Sequence, residues 1–206
     1  MVVKSQALTS DEPQVICITG KWGVGKTYEW DRLLKKSIEE RKITKKKYSY
    51  VTLFGLNSLD DAKSSIFENT VSGEDLTTPP DESTYFKRIK EVRKAGSFGV
   101  VSAITSAVPW TSGSQKLIHN ATFLFVKDQI VCFDDIERAG DGLKSKDILG
   151  LASLLKEKRR CKVVILLNQD ELGEEKEEFQ SALEKVADIS LTFQPTASEA
   201  MEIAFE

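Results

Sequence analysis

The run Gly20-Lys21-Trp22-Gly23-Val24-Gly25-Lys26-Thr27 carries the most evident chemistry in this chain. Gly20, Gly25, Lys26 and Thr27 complete the spacing G-x-x-x-x-G-K-[ST], which lets a loop close around phosphate groups. A turn that cradles a phosphate must expose consecutive backbone N–H groups, and glycine permits both the dihedrals and the close approach. A helix that starts at Lys26 adds four unpaired N–H groups and the positive end of its dipole. The Lys26 ammonium is then placed to reach the β- and γ-phosphates of a nucleoside triphosphate, and the Thr27 hydroxyl to ligate Mg²⁺. ATP is the expected nucleotide and GTP the alternative. The expected contact set is Gly20, Lys21, Trp22, Gly23, Val24, Gly25, Lys26, Thr27 and Tyr28. Within it, Lys21 either touches phosphate or stays solvated, and Trp22 either stacks on the base or packs beneath the loop.

A second group of residues complements the first. Ile130 to Arg138 reads Ile-Val-Cys-Phe-Asp-Asp-Ile-Glu-Arg, an apolar strand that ends in two carboxylates. Asp134 is expected to hold Mg²⁺ opposite Thr27, usually through water. Asp135, one residue on, is expected to orient or deprotonate the attacking water. Arg138 could stabilise charge on the γ-phosphate, lock the acidic pair by a bidentate bond, or form a surface ion pair with Glu137. Asn168 ends another apolar run, Cys161 to Leu167. Its amide either senses the γ-phosphate or caps the turn after the strand. Arg159 and Arg160 precede that run as exposed charge, or as an arginine finger for a neighbouring copy.

These residues need a scaffold, and the hydrophobic pattern supplies one. Apolar runs at Gln14 to Thr19, Tyr48 to Leu56, Gln129 to Phe133, Cys161 to Leu167 and Ile189 to Phe193 predict strands. Three of them lack polar alternation, as suits strands of a parallel sheet covered on both faces. Between them, helices are predicted at Lys26 to Glu40 (inward Trp30, Leu34, Ile38), Asp60 to Val71 (Ala62, Ile66, Phe67), Lys144 to Lys158 (Ile148, Leu151, Leu155) and Glu174 to Ala187 (Phe179, Leu183, Val186). Ala121 to Val126 is expected to add a strand, joined to Gln129 to Phe133 in a tight hairpin over Lys127-Asp128. Residues 57–120 exceed an ordinary crossover and are expected to form a largely helical and loop insertion, with loop at Ser72 to Asp81, a helix at Glu82 to Ala95 and loop again from Gly96 to Ser114. The expectation is therefore a single α/β domain over residues 1–206.

Bulk properties narrow the class. With 206 residues, 40% hydrophobic and 30% charged, the chain has the composition of a globular domain. A net charge of -3 gives no bulk electrostatic case for a nucleic-acid partner. Cys17, Cys132 and Cys161 lie in or beside apolar runs without metal-ligand spacing and are expected to be buried thiols in a reducing cytoplasm. No run reaches the about 20 apolar residues of a membrane span, and Met1 to Gln14 does not have the pattern of a signal peptide. The chain stops at Glu206 inside what reads as a further helix. Arg41, Lys42 and Lys45 to Lys47 read as a solvated basic turn, and His119, the sole histidine, has no evident nucleophile beside it.

Taken together, Gly20 to Thr27, Phe133-Asp134-Asp135-Ile136-Glu137-Arg138 and Leu166-Leu167-Asn168 resemble the KAP group of P-loop NTPases, within the broader STAND class. Tyr48 to Val71 resembles that group's second strand and following helix, and Ile189 to Thr196 its last core strand. The resemblance implies a three-layer α/β core with a mostly parallel sheet of order 5-1-4-3-2, ATP as the nucleotide, and the stated roles for Lys26, Thr27, Asp134, Asp135 and Arg138. It further implies a regulatory ATPase that works through self-assembly or through a fused or associated effector, in bacterial members often in defence against phages. Two departures stand out. The membrane helices of many relatives are not visible in the insertion, and the helical lid domain after the last strand is expected to be absent.

Overall fold

The structure, a computed structural model, describes residues 9–72, 122–196 and 199. Six strands form one sheet: β1 (Val15–Thr19), β2 (Lys47–Thr52), β3 (Thr70–Ser72), β4 (Ile130–Asp134), β5 (Lys162–Leu167) and β6 (Ile189–Thr192). Their spatial order is β3-β2-β4-β5-β1-β6. All neighbours run parallel except β3, which pairs antiparallel with β2. Apart from this added edge strand, the order β6-β1-β5-β4-β2 is the predicted 5-1-4-3-2.

The uninterrupted apolar runs follow from burial on both faces. Every residue of β4 and β5 is buried. Alternate residues feed two cores: Val15, Cys17, Val131, Phe133, Val163 and Ile165 point to one, while Ile16, Ile18, Ile130, Cys132, Val164 and Leu166 point to the other. Helices α2 (Leu59–Glu68), α3 (Ser145–Arg159) and α4 (Lys176–Val186) cover the first face through Ile66 and Phe67, Ile148 and Leu155, and Phe179 and Leu183. Helix α1 (Lys26–Glu39) covers the second through Trp30 and Leu34, with the Trp30 indole N–H donating to the Tyr48 hydroxyl at 2.9 Å. The three-layer prediction holds, and so do the inward stripes of these helices. All three cysteines are free and buried. Among the described residues no helix is long and apolar enough to cross a membrane.

Four local expectations are corrected. The strand expected at Ala121 to Val126 does not form in its described part: residues 122–123 are helical and a turn follows. Phe123 and Val126, three apart, face the core while Leu124 is exposed, a spacing that a short apolar run does not separate from strand alternation. The extra strand is β3 instead, expected to be helix end and loop. The helix before it stops at Glu68, and the Asn69 amide donates to the Tyr50 carbonyl at 3.0 Å, turning Thr70 and Val71 against β2. β2 itself ends at Thr52 rather than Leu56, because the chain turns at Gly55, which has φ 76°. The predicted insertion thus opens with α2 and β3, while residues 73–121, including the expected helix at Glu82 to Ala95, Trp110 and His119, lie outside the described residues.

The fourth correction concerns lysines. Lys45 is buried, not solvated, and its ammonium bonds Asp128 at 2.6 Å and Asp11 at 3.1 Å. Lys162, unremarked within the apolar run of β5, is fully buried and donates to the Ser10 carbonyl at 2.7 Å. Both ammonium groups lie at the amino ends of the strands, where they fasten residues 10–11 across the sheet. Burial, with the nearby Lys45 charge adding to it, pushes the Lys162 ammonium down to about 8. A lowered lysine pKa means that the unfolded chain holds the proton through a window, from about pH 8 up to the ordinary lysine value, in which the folded chain sheds it. Stability from this group therefore rises with pH there. Between pH 8 and 10 the wild type should gain unfolding free energy relative to Lys162→Met, as read from urea midpoints at each pH; a constant difference would refute the assignment.

Candidate functional site

The site forms at the carboxyl ends of the parallel strands. After Thr19 the chain leaves β1, and the Gly20 N–H donates to the Leu167 carbonyl at 3.2 Å, holding the loop against β5. A β-carbon at Gly20 would come within 2.7 Å of the Phe193 carbonyl oxygen, so only glycine fits there. Gly25 adopts φ 87° and is the N-cap of α1, aiming the helix N-terminus into the loop. The Lys26 ammonium arches back over this loop and donates to the carbonyls of Gly20 at 2.8 Å and Lys21 at 3.0 Å.

Helix α1 next brings Thr27 to β4. The Thr27 hydroxyl donates to Asp134 Oδ2 at 2.7 Å, joining two motifs 107 residues apart. The Tyr50 hydroxyl donates to the same oxygen at 2.8 Å, and the Asp135 N–H to the other oxygen at 2.9 Å. Asp134 is nearly buried, 5% exposed, yet three donors support its charge. Burial, then the Asp134 charge, drives the Tyr50 phenol far above its usual range, so it remains a donor. Tyr50 was missed in the sequence because β2 shows only alternating aromatics there. Asp31, one turn after Thr27, was missed as well. Its carboxyl is raised first by burial, with Lys35 opposing and Asp134 reinforcing, which brings a second acid to the same corner.

Past β4 the chain makes a tight turn. Asp135 takes the left-handed conformation, φ 58°, and a short 3₁₀ turn runs over Ile136–Arg138. Asp135 Oδ2 accepts from the Thr52 hydroxyl at 3.2 Å, and Oδ1 lies 3.9 Å from the Arg138 guanidinium. Of the alternatives for Arg138, the loose contact is with Asp135. Its guanidinium also stacks 4.1 Å from the Phe54 ring centroid and 5.4 Å from that of Trp22. Trp22, 70% exposed, thus packs beside the loop against an arginine. Glu137 turns the other way: its Oε1 accepts the Asn168 N–H at 3.1 Å. Asn168 Oδ1 accepts from the Asp170 N–H at 3.3 Å, so the amide caps the turn after β5.

The sequence residues are therefore largely brought together: the glycine loop with Lys26, Thr27, Asp134, Asp135, Arg138 and Trp22 share one corner, and Asn168 joins it through Glu137. Lys21 contributes a carbonyl oxygen to Lys26. Val24 is partly buried within the loop and Tyr28 is 40% exposed on the first turn of α1. Arg159 and Arg160 lie elsewhere, at the amino end of β5. There Arg160 meets Asp11 at 3.6 Å and Arg159 stacks on Phe123 at 5.3 Å.

The sheet order, the glycine loop and the facing carboxylate define a P-loop NTPase, a nucleotide-binding class. The profile of the KAP family P-loop domain matches residues 1–200, and the chain belongs to that family. No curated protein matches the chain at a significant level. Among solved structures it is similar to the ORC1 protein of Aeropyrum pernix in complex with DNA (15% identity, TM-score 0.46, 99% of this chain and 46% of that one). It is also similar to the flagellar accessory protein FlaH of Methanocaldococcus jannaschii (14%, TM-score 0.44, 90% and 74%) and to the DnaC helicase loader (12%, TM-score 0.40, 94% and 88%). The chain thus spans under half the length of the first of these.

Hydrogen bonds to a nearly buried carboxylate are worth about 1.5–3 kcal/mol each. Thr27→Val and Tyr50→Phe should each lower the unfolding free energy of the ligand-free protein by about that amount. The double variant should deviate from additivity, since both bonds share one oxygen; urea denaturation of the four proteins measures this.

Proposed function

We infer that this domain binds ATP with Mg²⁺ and hydrolyses it as a regulatory switch. The observation that carries the reading is the 2.7 Å contact between Thr27 and Asp134 at the mouth of the glycine loop. The donor set there, a hydroxyl beside a carboxylate, consists of the hard oxygens that Mg²⁺ takes, usually with several waters retained. When bound, the ion would offset charge on the β- and γ-phosphates. The rest falls to the chain. Loop N–H groups and the N-terminus of α1 hold the phosphates, and Lys26 exchanges its carbonyl partners for phosphate oxygens. A carboxylate beyond β4 orders the attacking water, the role expected of Asp135, and Arg138 is the candidate to meet γ-phosphate charge. Asn168 stands at the tip of the strand between the two motifs, where a change in the γ-phosphate could be relayed through the turn that it caps.

The product of such a cycle is a change in assembly, or in an effector fused to or associated with the domain, and the family resemblance points to phage defence as its setting. Phosphate release from ATP and Mg²⁺ without any acceptor separates hydrolysis from phosphoryl transfer to a metabolite. Lys26→Ala should weaken ATP binding by about 30- to 100-fold, the equivalent of about 2–3 kcal/mol for a charge-assisted contact. Asp134→Asn should abolish phosphate release and flatten the Mg²⁺ dependence of binding. Unchanged affinity in Lys26→Ala, measured by calorimetry, would defeat the reading.

A further inference from the structure

We propose that Glu137, rather than Asp135, is the catalytic carboxylate that takes the proton from the attacking water. This rests on the hydrolytic reading above and moves the base from the expected Asp135 to its neighbour on the same turn.

Strand β5 lies between β4 and β1. Its tip is tied on one side to the phosphate loop, through the Gly20 N–H on the Leu167 carbonyl, and on the other to Glu137, through the Asn168 N–H on Oε1 at 3.1 Å. The Glu137 carboxylate therefore reaches from the end of β4 toward the strand that adjoins the loop. Asp135 is held in the opposite direction. Its Oδ2 accepts from Thr52 on β2, and its Oδ1 lies 3.9 Å from the Arg138 guanidinium.

The second observation is an unpaid cost. Glu137 Oε2 is buried and has no hydrogen-bond partner among the described residues. Leaving a buried acceptor unmatched costs about 1–3 kcal/mol, and more for a charged group, so an orphan of this kind calls for an explanation. Oε2 is closed to water in this conformation, and the attacking water, entering with the nucleotide, would supply the missing partner. Burial raises the Glu137 carboxyl above its usual range, against the pull of two backbone N–H groups and with Asp135 adding to the rise and Lys26 opposing it. That direction suits a base that must accept a proton.

The third observation is a way out for the proton. Glu137 lines a polar cavity of about 140 Å³ with Asp141, Lys144, Ser145, Glu171 and Glu175. That is room for more than one water. In the step, the water oxygen bonds to the γ-phosphorus as the bond from phosphorus to the bridging oxygen breaks, and that electron pair stays with ADP. The water's proton passes to Glu137 Oε2 and leaves through the cavity to solvent, which restores the carboxylate.

The test uses the full chain with ATP and Mg²⁺, comparing wild type, E137Q, E137D and D135N in ATP affinity and in kcat for phosphate release. Glutamine keeps the oxygen that accepts the Asn168 N–H, so a merely structural role would survive in E137Q. Expected for E137Q are an ATP affinity within about threefold of wild type and a kcat at least about 100-fold lower, the range for a lost general base. E137D should recover part of the rate, and D135N should lose less than E137Q. The acid limb of the wild-type kcat profile should fall above the ordinary glutamate range and vanish in E137Q. Equal loss of affinity and rate in E137Q, or a rate within about fivefold of wild type beside an inactive D135N, overturns the proposal while hydrolysis stands. A wild type that binds ATP and releases no phosphate overturns both.

Discussion

One hydrogen bond organises the phosphate-loop corner of this molecule: the Thr27 hydroxyl on the Asp134 carboxylate, 2.7 Å across 107 residues of sequence. It spans from the first turn of the helix under the phosphate loop to the end of a buried strand two places away in the sheet. For that bond to form, β1, β5 and β4 must lie side by side in parallel register, with Cys17, Ile165 and Phe133 on successive strands at one level. The cores on both faces of the sheet fix that register, since a slip of one residue would turn every apolar side chain to the wrong face.

The same register divides the chemistry between the two ends of the sheet. Carboxylates, phosphate loop and stacked arginine gather where the parallel strands finish, the place where open α/β sheets bind ligands. Buried lysines and their acidic partners gather where the strands begin. Lys45 and Lys162 there fasten the segment that leads into β1, and β1 launches the loop. The two charge clusters are thus mechanically in series though they lie at opposite ends of the sheet.

Around Asp134 the turn Asp135–Arg138 distributes side chains in two directions. Asp135 goes toward β2, and the Arg138 guanidinium lies against the Phe54 and Trp22 rings. Glu137 goes toward β5. The turn between them opens with Asp135 in the left-handed conformation, which aspartate tolerates better than most residues. Neighbouring carboxylates thus lie on opposite sides of β4, one against Thr52 and one against Asn168.

Much of this was legible in the residues themselves. Gly20, Gly25, Lys26 and Thr27 are constrained by local geometry, which motif spacing records directly, and Trp30 and Leu34 mark a helical face by a period that local structure imposes. The apolar runs of β1, β4 and β5 likewise announced strands covered on both faces. Partners distant along the chain were not legible. Nothing near Tyr50 in sequence indicates that its hydroxyl meets Asp134, and nothing near Lys162 shows that an ammonium is accommodated inside the sheet. The choice between Asp135 and Glu137 depends on which neighbouring strand each carboxylate faces, and strand adjacency arises only when the sheet assembles. Residue type and spacing thus determined the phosphate loop, the acidic strand end and the class of fold. Tertiary structure alone decided which donors hold the acid, where Arg138 stacks and which carboxylate is left with an open oxygen, because long-range contacts leave no period in the sequence.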